Sequence, residues 1–261
     1  MKSRAEKAAL FRALHTRNRA FIIPNPWDIG TAKMLEALGF EALATTSAGF
    51  AQSIGKDDGT VDRDTMLAHV AQLVGATDLP VSADLENGYA DDPAGVAETV
   101  QRAGEAGLAG CSIEDLPAGR NGEPYAIDFA AERIAAAAKA ARALPFPFVL
   151  TARAENYIAG HPGLADTIAR LQAYEAAGAD VLYAPGLRTA DDIAAVVGAV
   201  GRPVNVLMGL RGVRFTLAEL SALGVRRVSI GSGLSRLAYA TAERAAKEML
   251  DRGDFSALTR E

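Results

Sequence analysis

Along the whole chain, short apolar runs rich in β-branched residues alternate with longer Ala/Leu-rich stretches. The strand-type runs fall at 21–24, 42–46, 81–84, 110–114, 148–152, 181–184, 204–207 and 228–231. Between and after them, apolar residues recur at helical spacing over 31–38, 64–74, 94–106, 129–143, 164–177, 191–200, 217–223 and 234–251. A further amphipathic helix is predicted ahead of the first strand, where Leu10, Phe11 and Leu14 share one face. Strands alternating with helices imply βαβ units and a parallel sheet. Eight such units in 261 residues predict an α/β protein of the (β/α)8 TIM-barrel class, one domain spanning 1–261 with an N-terminal helix. Gly39, Gly107, Gly178 and Gly224 stand where helices end, and a glycine there takes the left-handed cap at no steric cost.

Composition narrows the function classes. The net charge of −5 leaves no broad basic face, which argues against nucleic-acid and anionic-membrane partners. Cys111 is the single cysteine, so neither an intramolecular disulfide framework nor a cysteine-based zinc cluster can form. No stretch approaches the ~18 apolar residues of a spanning helix, and 1–18 carries many charges and no signal-type apolar run. A cytoplasmic protein is expected.

In a TIM barrel the chemistry sits where strands end, at their C-terminal side. In chain order those positions offer Asn25, Ser47, Asp84 with Glu86, Glu114 with Asp115, Arg153 with Glu155, Pro185-Gly186, Asn205 and Ser232. Crowded carboxylates repel one another, and a divalent cation relieves that repulsion; all-oxygen ligation suits Mg2+ or Mn2+ rather than zinc. Arg153 ends an apolar strand and delivers a permanent positive charge into the mouth, where it can grip a carboxylate or pair with Glu155. Ser47-Ala48-Gly49 reads either as backbone that approaches an anion closely or as a plain turn. Asn205, among apolar neighbours, either orients a substrate carboxylate or satisfies the barrel. Gly231-Ser232-Gly233 reads as a tight turn into the last helix, with anion contact as the other option.

Other chemistries are struck out. Residues 25–28, Asn-Pro-Trp-Asp, follow the first strand in place of a glycine-rich dinucleotide fingerprint. None of the six lysines falls at a strand end, so imine catalysis is not expected. His15, His69 and His161 are scattered and make no zinc triad, and Cys111 lies inside a strand as a small buried residue.

The residues gathered here resemble the isocitrate lyase/phosphoenolpyruvate mutase superfamily. The resemblance covers most of the chain and rests on Ser47-Ala48-Gly49, residues 53–58 (Ser-Ile-Gly-Lys-Asp-Asp), 83–89 (Ala-Asp-Leu-Glu-Asn-Gly-Tyr), 112–115 (Ser-Ile-Glu-Asp), 152–155 (Ala-Arg-Ala-Glu) and Asn205. It implies that Asp84 ligates Mg2+ directly, with Glu86, Glu114 and Asp58 supporting the ion through water. It implies that Ser47, Ala48 and Gly49 bind the 2-oxo-carboxylate end of a substrate, with Asp84 beside it and Arg153 and Asn205 holding a distal anionic group. Lyases of the superfamily carry a cysteine and a histidine on a loop soon after the Ile-Glu-Asp motif. Here residues 116–123 read Leu-Pro-Ala-Gly-Arg-Asn-Gly-Glu, without either. Arg120 and Asn121 resemble the lysine and asparagine that phosphonate-processing members place on that loop. Glu86 stands where many members have Asp, and Pro185-Gly186 where members have a glutamate.

The reading is therefore a Mg2+-dependent carbon–carbon lyase for a small 2-oxo or 2-hydroxy dicarboxylate, resembling an oxaloacetate decarboxylase and passing through an enolpyruvate-type intermediate. Arg153, Glu114, Arg120 and Asn121 are its catalytic candidates. The alternatives are a P–C bond enzyme (mutase or hydrolase) and a non-catalytic metabolite-binding barrel. A homo-oligomer, a tetramer by the resemblance, is expected through the last helix.

Overall fold

The computed structural model describes residues 2–117 and 122–259. Helix α1 (Arg4–Leu14) precedes β1 (Phe21–Ile23) and α2 (Ile29–Ala37). Strand β2 (Leu43–Ala44) is followed by two helices, α3 (Ser47–Ser53) and α4 (Arg63–Ala76). The alternation then runs β3 (Val81–Asp84), α5 (Pro93–Glu105), β4 (Gly110–Glu114), α6 (Ile127–Ala143), β5 (Val149–Arg153) and α7 (Leu164–Ala176). It ends β6 (Val181–Tyr183), α8 (Ala190–Ala199), β7 (Val204–Leu207), α9 (Leu217–Ala222), β8 (Arg227–Ser229) and α10 (Gly233–Arg252), with a 3-10 turn at Ser256–Thr259.

The strands pair in parallel in the order β1-β8-β7-β6-β5-β4-β3-β2. The Ala44 N–H donates to the Pro24 carbonyl at 3.0 Å and draws β1 and β2 together. Asn25 secures the seam, its Nδ2 donating to the Thr45 carbonyl at 2.9 Å and its Oδ1 accepting from Ile230 N–H at 3.0 Å. The result is the expected (β/α)8 barrel, and the amide at 25 serves its closure.

Side chains alternate across each strand. Ala83, Cys111, Ile113, Leu150, Ala152, Leu182, Val206 and Val228 pack outward, with Val96, Val100, Ile134, Leu171 and Ile193 of the helix layer in one core. The opposite set points inward, and in its lower part it is apolar: Phe21, Val149 and Val181 meet Phe11 and Leu14 of α1, which plugs the N-terminal end. Gly110 belongs to this floor. A Cβ there would lie 2.4 Å from the Val149 carbonyl oxygen and 2.9 Å from the Phe11 ring, so no side chain fits. Above the floor the lining turns polar. One in-register rank crosses five strands as Glu114, Arg153, Tyr183, Asn205 and Arg227, and Arg227 in turn pairs with Phe21 of the floor.

Two departures from the expected elements matter. Residues 47–53 are neither turn nor open loop: Thr46 caps them as α3, its hydroxyl accepting from the Gly49 N–H at 3.2 Å. Seven residues are too few for apolar periodicity to register. Strand β8 begins at Arg227, one residue before the expected run, so that arginine is inside the barrel. No helix among the described residues is long and apolar enough to cross a membrane.

Candidate active site

Arg153, Tyr183 and Arg227 of the polar rank and the strand-end loops enclose a cavity of about 270 Å³ at the C-terminal mouth of the barrel. Asp84, Asp58, Ser47, Ala48 and Arg153 line it. These are residues the sequence nominated, brought from α3, the loop after it, β3 and β5. The Ser47 hydroxyl lies 3.1 Å from Asp84 Oδ2 and 3.2 Å from Asp58 Oδ1. A hydroxyl has one proton and serves one carboxylate at a time, so the two acids compete for this hydroxyl on the cavity wall.

Behind this wall stand the other two candidate metal-site acids. Glu86 is buried, and its N–H points at Asp84 Oδ1, 3.4 Å away. Glu114 is buried too, its N–H donating to the Glu86 carbonyl at 2.9 Å. The backbone reverses sharply here: Glu86 and Tyr89 both hold left-handed φ angles, 49° and 55°, conformations that non-glycine residues adopt at a cost. Arg133 of α6 fixes the turn. It donates to the carbonyls of Asp91 and Ala90 at 2.9 Å, of Glu114 at 3.2 Å, and of Asn87.

Arg153 is the electrostatic hub. Its Nη1 is 3.2 Å from Glu114 Oε2 and 3.5 Å from Asp84 Oδ1, and its Nε pairs with Glu155. Its Cζ sits 5.3 Å from the centre of the Tyr183 ring. Burial works against its charge, but Glu155, Glu114 and Asp84 more than offset that and hold its pKa well above the usual arginine range. The pairing of Arg153 with Glu155 is present, and the residue also lines the cavity. Asp115 is framework. Its carboxylate accepts from the Glu155 N–H at 2.8 Å, from Arg170 Nη1 at 3.0 Å and from the Tyr174 hydroxyl.

Whether these residues suit a metal is answered by the donor set. Among the described residues no three His, Cys, Asp or Glu side chains converge on one point for direct ligation. What the cavity offers is a half-buried carboxylate at Asp84, a second, exposed carboxylate at Asp58, and buried acids one layer back. Such an all-oxygen arrangement fits a hard cation that keeps most of its water.

Other nominated residues lie elsewhere. Asn205 is fully buried, its amide donating to Ser229 Oγ and accepting from Arg227 Nε, both at 3.0 Å, and it is not on the cavity wall. Gly49 is likewise off the wall, wedged where a Cβ would lie 2.6 Å from Thr46 Cγ2. Arg120 and Asn121 fall outside the described residues. Cys111 is fully buried, and burial pushes its thiol pKa up, as suits a packing residue rather than a nucleophile.

Among the cavity residues that escaped the sequence reading are Tyr183, Arg227 and Arg236. Arg236 carried a readable signal, since it lies in the first turns of α10, where the helix macrodipole disfavours a cation. Its Nη1 donates to Ser232 Oγ at 2.6 Å, so the turn at 231–233 reaches the cavity rim.

Comparison with known proteins places this geometry. A family model described as phosphoenolpyruvate phosphomutase matches residues 11–250. The solved structure of a candidate lyase/mutase from Burkholderia cenocepacia J2315 superposes with a TM-score of 0.96 at 60% identity, covering 99% of this chain and 92% of that one. An oxaloacetate decarboxylase of Paraburkholderia xenovorans is 32% identical, over 79% of this chain and 69% of its own length. A phosphonopyruvate hydrolase solved with oxalate and Mg2+ gives a TM-score of 0.84 at 26% identity, over 95% of this chain and 88% of that one.

Proposed function

This chain belongs to the phosphoenolpyruvate phosphomutase family, within the isocitrate lyase/phosphoenolpyruvate mutase superfamily, and from that premise we propose that it is a Mg2+-dependent carbon–carbon lyase of small 2-oxo or 2-hydroxy dicarboxylates, with oxaloacetate decarboxylation as its simplest form. The observation that carries the proposal is the meeting of Asp84, Asp58, Ser47 and Arg153 on one small cavity. Asp84 would hold the ion, with Asp58, Glu86 and Glu114 acting through its water. Mn2+ fits the same oxygen donors. When bound, the cation supplies positive charge beside the 2-oxo oxygen, where negative charge gathers as the carbon–carbon bond breaks.

The protein's own part is positioning. Arg153, fixed by Glu155 and Glu114, presents a guanidinium that stays charged at any working pH and orients an anionic substrate. Ser47 fixes the Asp84 carboxylate. Decarboxylation asks for no acid at the leaving fragment: the bonding pair stays with the pyruvate unit, carbon dioxide departs neutral, and a proton then adds to the carbon left behind. A barrel without the cysteine loop can perform that chemistry.

The deciding assay is pyruvate release from oxaloacetate with Mg2+ and with chelator. The Asp84→Ala variant should lose both turnover and calorimetric Mg2+ binding; wild-type turnover in that variant would refute the assignment. Phosphate release from phosphonopyruvate, or its conversion to phosphoenolpyruvate, would instead favour P–C chemistry. Ligand binding without turnover of either class would favour a metabolite sensor.

We also propose a cytoplasmic homo-oligomer. Helix α10 buries only Ser235 and leaves Leu237 and Leu250 exposed, a face suited to a second copy of the chain. A stable monomer in light scattering would refute this.

A further inference from the structure

Arg227 is a buried cation that no carboxylate among the described residues pairs. It enters the barrel interior from β8, keeps 4% of its exposure and forms part of the cavity wall. Its Nε donates to Asn205 Oδ1 at 3.0 Å, a neutral acceptor, while its Nη1 has no hydrogen-bond partner. No Asp or Glu lies within salt-bridge distance of it among the described residues. The contrast with Arg153 is direct: that guanidinium shares three carboxylates within the protein. Burying a charge is costly unless it is paired, and burial accordingly lowers the Arg227 pKa to about 10. Its surroundings are built rather than accidental: Asn205 is locked between Arg227 and Ser229. Ser229 and Tyr183 line the same cavity.

We propose that Arg227 is the docking site for a second carboxylate of the substrate, reached through the inner end of the cavity while the 2-oxo or 2-hydroxy end sits by Asp84 and Ser47. The inference rests on the lyase reading above and deepens it, since it makes the dicarboxylate character of the substrate a property of β7 and β8. A water molecule could hydrate this guanidinium but not neutralise it. An entering carboxylate does both, and meets a donor held in place by Asn205. Monocarboxylates of the same head group should bind but forgo this contact.

The test uses the Mg2+-loaded protein and two stable 2-hydroxy acids that differ by one carboxylate, malate and lactate, measured by calorimetry. Wild type should bind malate about 10- to 100-fold more tightly than lactate, the worth of one charge-assisted contact. Arg227→Gln should erase that gap by weakening malate alone, and Arg227→Lys should keep part of it. A gap that persists in Arg227→Gln, or equal loss of both ligands, overturns the inference and leaves the lyase reading intact. Wild type that binds neither acid overturns both. The ligand-free melting temperature separates site from scaffold. Loss of an unpaired buried charge should leave Arg227→Gln as stable as wild type or more so; a fall beyond ~5 °C would make Arg227 framework and overturn the proposal.

Discussion

Arg153 stands between Asp84 and Glu114, its Nη1 3.5 Å from the first carboxylate and 3.2 Å from the second. One guanidinium thus bridges acids that come from adjacent strands. Removing it would leave buried like charges facing each other.

Arg153→Met should therefore destabilise the ligand-free protein by ~3–5 kcal/mol, the usual effect of breaking a buried ion pair from one side. Arg153→Lys should restore most of that stability while losing the planar fork, so kcat/KM should stay at least ~10-fold down. Urea unfolding and steady-state kinetics of both variants check this. Equal activity of the lysine variant and wild type would remove Arg153 from substrate orientation.

How much of this was legible beforehand follows the physics of each element. Strands β3, β4 and β7 coincide with their apolar runs at 81–84, 110–114 and 204–207, because outward-facing Ala, Val, Ile and Leu write their burial into the sequence. The strand-end acids were legible because the fold places chemistry there. Arg227 was not: Arg226-Arg227 ahead of an apolar run looks like solvated loop, and only barrel closure turns that position inward. Asn205 was singled out correctly as unusual, but whether its amide faces the cavity or its neighbours depends on Ser229 and Arg227, which lie over 20 residues away in sequence.

Arg133 explains how Glu86 and Tyr89 keep left-handed backbone angles. Its guanidinium, 1% exposed, donates to four carbonyls around that turn. Replacing it by Met strands those carbonyls and frees the turn to relax. Under the proposed function, in which Glu86 supports the ion rather than the substrate, Arg133→Met should weaken Mg2+ binding and lower kcat more than it raises KM. Calorimetric Mg2+ titration of the folded variant checks this, and Arg133→Lys should recover part of the affinity. Unchanged Mg2+ affinity in Arg133→Met would reduce the residue to a packing role.

Gly49 offers a steric test of the cavity's second layer. A methyl there would meet Thr46 Cγ2 at 2.6 Å, Ser235 Oγ at 3.0 Å and Trp27 Cβ at 3.2 Å. Gly49→Ala should cost ~1–3 kcal/mol by overpacking and shift Ser47, its neighbour on α3. The readout is a lower melting temperature together with a raised KM. Unaltered values of both would show that α3 moves freely.

The histidines set the acid limit of stability. His15 lies beneath the barrel floor, its Nδ1–H donating to the Phe11 carbonyl at 2.8 Å and its ring edge-on to Phe11 and Phe21. Burial first, then the charge of Arg227, lowers its pKa from 6.5 to about 3. His69, stacked on Phe50, is lowered by burial to about 4. Both are neutral in the folded protein, whereas the unfolded chain takes up their protons below pH 6.5, so their contribution is complete above pH 6.5 and is lost as pH falls. Each group tilts the unfolding free energy by up to ~1.4 kcal/mol per pH unit in that window. Between pH 6.5 and 5, above the carboxylate range, stability should therefore drop by up to ~4 kcal/mol. His15→Leu should flatten the slope by about half, at some loss of stability at neutral pH. Urea midpoints at pH 7.5, 6.5, 5.75 and 5 provide the measurement; a flat wild-type profile across that range would mean the imidazoles are protonated in the folded barrel.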